Sequence, residues 1–123
     1  MSAIQKYWAK LARIERSFAI APPIICKDGF QMSVQASGSH YCEPRELLAD
    51  GAYTKWEVGF PSAEEETLMP YCSEPEEPLE TVYGWVPTEV IDALIEKHGG
   101  LRDFKVEVTH PLHPAFRRLL DID

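Results

Sequence analysis

Residues 81–100 read TVYGWVPTEVIDALIEKHGG, a short β pattern that runs directly into an amphipathic helix. Val90, Ile91, Leu94 and Ile95 recur at the spacing that puts them on one helix face, while Glu89, Asp92, Glu96 and Lys97 take the other. Thr88 is placed to cap the free amides of the first turn, with Glu89 and Asp92 near the positive end of the helix dipole. Gly99 is the natural left-handed stop, and Lys97 and His98 lie at the negative end. An apolar helix face needs a sheet to cover, so the flanking chain is read for strands.

Upstream, Tyr53 to Phe60 alternates, with Trp56, Val58 and Phe60 on one side and Lys55 and Glu57 on the other. Phe30 to Ala36 alternates too: Phe30, Met32, Val34 and Ala36 face one way, and Gln31, Ser33 and Gln35 the other. Asp28-Gly29 is a hairpin turn signal joining that strand to Ile24, Ile25 and Cys26. From Ser2 to Ile20, Ile4, Tyr7, Trp8, Leu11, Ile14 and Phe18 repeat at helical spacing, and Pro22-Pro23 ends the run. His40 to Gly51 reads as a loop with a single turn at Pro44 to Leu48. Downstream of Gly100, Phe104 to Val108 reads as an edge strand, and 110–123 as a tail in which Phe116, Leu119 and Leu120 form a last turn.

The expected fold is α+β: an antiparallel sheet of about four strands with two amphipathic helices packed on one face, in a single domain over 1–123. Its least regular part is 61–80, with four prolines and seven glutamates, read as an exposed connection with a helical turn over Ala63 to Met69.

Charge is unevenly distributed. Eleven of the 20 acidic residues lie between Trp56 and Glu96, where there is no Lys or Arg; all 12 basic residues and the other nine acidic ones lie outside. The net charge of −8 is therefore about −11 in the middle and +3 at the ends. Such a chain repels nucleic acid phosphates and is steered to basic surfaces, so direct nucleic acid binding is not expected. A hydrophobic fraction of 45% with 26% charged residues suits a soluble globular domain, and no apolar run reaches a membrane span. Cys26, Cys42 and Cys72 are an odd number at wide spacings, which points to a reducing cytoplasm.

Several constellations bear on chemistry. Cys42 and His40 are next-but-one neighbours in a loop, an arrangement that would suit a cysteine nucleophile with a histidine base, and His98 is a second candidate base. No oxyanion or orienting signature surrounds them, so a cysteine-dependent hydrolase or transferase is the alternative and not the first reading. The three cysteines with a histidine supply zinc ligand types but no paired knuckle, and His110 with His113 is flanked by prolines, so no metal and no cofactor is expected. The block Glu64, Glu65, Glu66, Glu74, Glu76, Glu77 and Glu80 lacks the glycine of a calcium loop. Gly99-Gly100 follows a helix and so cradles no phosphate. Aromatic density is the other signal. In the strand before the helix, Tyr83 and Trp85 share one face and Val82 and Val86 the other, so one pair is expected outside.

The segments DGFQMSVQASGSHYCEPR, WEVGFPS and YGWVPTEVIDALIEKHGG resemble a family of small phage- and prophage-encoded accessory proteins of unassigned function, over roughly residues 24–100. The resemblance implies a bacterial cytoplasmic setting and supplies no catalytic residues. Small acidic proteins of that kind often bind and disable a host protein. The expectation is a non-enzymatic interaction module that meets a basic host protein through the seven glutamates with Tyr83 and Trp85, and engages no membrane. A structural subunit of a homo-oligomer, a homodimer among them, is the remaining alternative.

Overall fold

The computed structural model describes residues 2–14, 21–46, 48 and 51–102, and the statements below concern those residues. Helix α1 (Ala3–Ile14) is followed by strands β1 (Ile24–Ile25), β2 (Gln31–Gln35) and β3 (Lys55–Gly59), a 3-10 turn at Met69–Tyr71, strand β4 (Val82–Pro87) and helix α2 (Thr88–Lys97). The strands form one antiparallel sheet in the order β1-β2-β3-β4. This is the expected α+β architecture. The expected edge strand at 104–108, the tail and its two histidines lie outside the described residues.

The sheet's inner face carries Met32, Val34, Trp56, Val58, Tyr83 and Val86, and Ile91, Leu94 and Ile95 of α2 with Ile4, Trp8 and Leu11 of α1 complete a single apolar core. The Trp8 ring meets Trp56 edge-on at 5.4 Å and Tyr53 at 5.9 Å, which seats α1 against β3. Ser2 and Gln5 cap α1 reciprocally: the Gln5 amide donates to Ser2 Oγ and the Ser2 amide to Gln5 Oε1. Asp92 of α2 accepts a further α1 amide, from Ile4, at 3.0 Å. This side chain, expected on the solvent face, ties the two helices together.

Two local expectations change. Thr88 is not the cap of α2; Pro87 holds that position with no side-chain cap, and the Thr88 amide donates instead to Thr54 O. The Thr88 hydroxyl accepts from Trp56 Nε1 and donates to Tyr53 O, both at 2.9 Å, because a buried indole N–H needs an acceptor more than a helix end needs this particular donor. Phe60 does not join Trp56 and Val58 inside. The strand ends at Gly59, the Phe60 backbone turns to φ 49°, and its ring is 59% exposed.

Helix α2 stops as expected at Gly99, φ 90°, with Gly99 N bonded to Glu96 O and Gly100 N to Ile95 O. Gly51, at φ 71°, passes so close to α1 that a Cβ there would stand 2.9 Å from Gln5 O. Both sheet edges are occupied. Arg102 N donates to Ile25 O beside β1, while Ser73 N donates to Val82 O and Trp85 N to Tyr41 O beside β4.

Candidate functional site

The acidic connection is more ordered than its composition suggests. Leu68 sits in the core, Ser62 N donates to Gln31 O, and Cys72 forms a bridge pair with Tyr83. Glu64, Glu66, Glu74, Glu76, Glu77 and Glu80 are exposed, as a partner-binding surface requires. Glu65 and Tyr83 are not, and their expected place on that surface is corrected. Glu65 is buried, its Oε1 accepting from Lys97 Nζ at 2.9 Å and lying 3.4 Å from His98 Nε2, since a buried carboxylate needs cationic or donor partners. Tyr83 is fully buried and its hydroxyl donates to Pro78 O at 2.6 Å. Burial, then the Cys72 thiol, pushes the Tyr83 phenol up from its ordinary pKa. Both residues anchor the connection from inside.

Tyr83 and Val86 point inward together because β4 is bulged. Trp56 pairs with Val86 but Val58 pairs with Tyr83, so Gly84 and Trp85 together oppose Glu57. Trp85 takes the extra position at φ 52° and is turned outward, 47% exposed. Here it meets Tyr41, itself 43% exposed, with ring centroids 5.0 Å apart. The Tyr41 backbone is held by Trp85 N at its carbonyl and by Glu57 Oε1 at its amide, and Arg45 lies over the Tyr41 ring at 5.5 Å. A Cβ on Gly84 would touch Tyr41 Cβ at 3.4 Å, so the glycine lets the loop pack closely on β4.

The result is an open groove of about 450 Å³ whose lining includes Tyr41, Lys55, Tyr71, Cys72, Ser73 and Trp85; the exposed Glu74 follows Ser73 in the chain. Of the lining residues, sequence reading assigned only Trp85 to a binding surface. Tyr71 lies in the irregular connection and Tyr41 in a loop, and the docking of both on β4 leaves no periodic trace.

The Cys42 loop is built differently from a catalytic pair. Cys42 is 2% exposed, and its single S–H faces two carbonyl acceptors, Ser37 O at 3.2 Å and Pro44 O at 3.4 Å. Burial pushes that thiol up, away from the thiolate a nucleophile needs. His40 Nδ1 is bonded to Ser37 Oγ at 2.7 Å, in a local turn closed by Ser39, and not to Cys42. His98 is engaged elsewhere. It stacks on Phe30 at 4.1 Å, with Nδ1 2.6 Å from Asp28 Oδ2, and so clasps the hairpin turn to the end of α2, while its buried Nε2, 3.4 Å from Glu65 Oε1, makes no hydrogen bond. The Phe30 amide first and His98 second hold the Asp28 carboxyl below its ordinary pKa. Cys26 is pushed up to about 11, by burial and then by Asp28.

Among the described residues no group of three or more His, Cys, Asp or Glu side chains is arranged to hold a metal ion, and no helix is long and apolar enough to cross a membrane. The fold and site together define an α+β domain with an exposed aromatic groove beside an acidic connection. No protein-family model matches the chain, and neither a curated protein nor a solved structure matches it.

Proposed function

We propose that this chain is a non-enzymatic protein-interaction module of the bacterial cytoplasm, an accessory protein of phage or prophage kind that binds a basic surface on a host protein. The observation that carries the binding role is the bulge in β4. A non-glycine residue at φ 52° stores backbone strain of roughly 1–3 kcal/mol, and the bulge that carries this cost turns a tryptophan out of the core and beside an exposed tyrosine. Exposed aromatic pairs next to a polar rim are the usual anchors of protein interfaces. The exposed glutamates from Glu74 to Glu80 supply the complementary charge, and the phage setting is supported by the resemblance of residues 24–100. The cysteine-dependent alternative loses support, because Cys42 and His40 are each committed to other partners.

The test is retention of bacterial proteins on the tagged chain at low and high salt, beside a variant with Glu74, Glu76, Glu77 and Glu80 all replaced by Gln. A stoichiometric partner held at low salt and lost by the variant is expected. A partner held equally by both proteins at both salts would remove the acidic surface from the reading.

A further inference from the structure

Resting on that reading, we infer that the part of the partner that enters the groove is an extended, proline-rich segment in polyproline II conformation with its basic end towards Glu74.

The argument begins with what the groove does not offer. The outer side of β4 is already paired, Ser73 N to Val82 O and Trp85 N to Tyr41 O, so an incoming strand finds no ladder there to extend. A ligand has to bind through its faces. Apart from the Cys72 thiol, which engages Tyr83, the polar side-chain groups of the lining residues are the hydroxyls of Tyr41, Tyr71 and Ser73, the Trp85 indole N–H and the Lys55 ammonium, and no described residue accepts from any of them. This is a set rich in donors. A proline-rich chain is its chemical complement: it has few N–H groups of its own, presents carbonyl acceptors along its length, and stacks pyrrolidine rings on aromatic ones. It also arrives preformed and loses little entropy on binding.

Charge sets the direction. Along β4, Ser73 stands beside Val82 and leads to Glu74, whereas Tyr41, with Arg45 over its ring, stands beside Trp85, and Lys55 pairs with Pro87. At the Pro87 end Arg45 and Lys55 are offset by Glu57, which accepts from the Tyr41 amide, and by Glu43, which pairs with Lys55, so the Val82 end, leading to Glu74, is the more acidic of the two. That span is roughly 16 Å of strand, matched by about five residues of polyproline II at 3.1 Å each.

The test uses the full chain and fluorescein-labelled peptides, followed by anisotropy. PAPPAPPRRR should bind, with its affinity falling as salt rises, and GAGGAGGRRR, of equal charge, should bind at least about tenfold more weakly. Trp85→Ala should weaken PAPPAPPRRR about tenfold or more, with the fold checked by circular dichroism. Glu74→Gln with Glu76→Gln and Glu77→Gln should weaken it and flatten the salt dependence. Equal binding of the two peptides would overturn the inference and leave the acidic module intact, since charge alone would then suffice. Peptide binding unchanged by Trp85→Ala would overturn it too. So would self-association of the chain that Trp85→Ala abolishes, because a second copy would then be the occupant. Absence of peptide binding overturns it as well, and the lysate experiment then separates failure of the segment from failure of the module.

Discussion

Trp56 and Trp85 sit on adjacent strands of one sheet and have opposite fates. Trp56 is fully buried, touches Trp8 and Tyr53 ring to ring, and has its indole N–H satisfied by Thr88. Trp85 is 47% exposed on a left-handed backbone, packed against one tyrosine. Around Trp56 each local choice serves stability: apolar alternation, edge-on rings and a closed hydrogen bond. Around Trp85 local choices are sacrificed, with a strained φ and an outward aromatic. A region that gives up stability in a fold that otherwise follows its own rules is where interaction is to be sought.

The contrast can be broken most sharply at the two rings themselves. Trp56→Ala should cost about 3–5 kcal/mol in urea unfolding, enough to leave a domain of this size marginal, while Trp85→Ala should stay within about 0.5 kcal/mol. If the two substitutions cost the same, Trp85 is a structural residue and the groove loses its rationale. Next in size is Thr88→Val, which keeps the shape but leaves the Trp56 N–H and the Tyr53 carbonyl without their partner. A loss of about 1–3 kcal/mol is expected by the same unfolding measurement.

The smallest effect concerns the clasp and acid. Asp28 has its folded pKa lowered by the Phe30 amide and His98, so its contribution is whole above the ordinary carboxylate pKa and lost as pH falls through the lowered folded value. Asp28→Asn should therefore reduce stability at neutral pH and flatten the fall in urea midpoint below about pH 4. An unchanged acid limb in the variant would assign that fall to other carboxylates.

Much of the scaffold is legible in the chain. The alternation of Met32 and Val34, of Trp56 and Val58, and the helical spacing of Ile91, Leu94 and Ile95 all mark residues that are buried. The Ser2-x-x-Gln5 cap is local as well, formed by two residues three apart at the start of the first helix. The candidate site was half legible. The glutamates between Glu74 and Glu80 are exposed as their composition suggests, yet Glu65 in the same acidic block is buried against Lys97 and His98, and composition does not distinguish them. Tyr83 was paired with Trp85 on one face because strict alternation assumes an unbroken strand, and one extra residue in β4 reverses that assignment.

By itself, then, the sequence determined what depends on neighbours along the chain: the strand alternation, the helix stripe, the stop at Gly99 and the accumulation of negative charge in the middle. The tertiary structure alone decided what depends on pairing across it. The register of β3 against β4 placed the bulge, the bulge turned Trp85 out and Tyr83 in, and the docking of the His40 to Arg45 loop on that bulge made a groove from residues more than forty positions apart in the chain. Periodicity is a local property and reports burial when the backbone is regular. A bulge is a property of two strands together, so its consequences are visible only once both are in place.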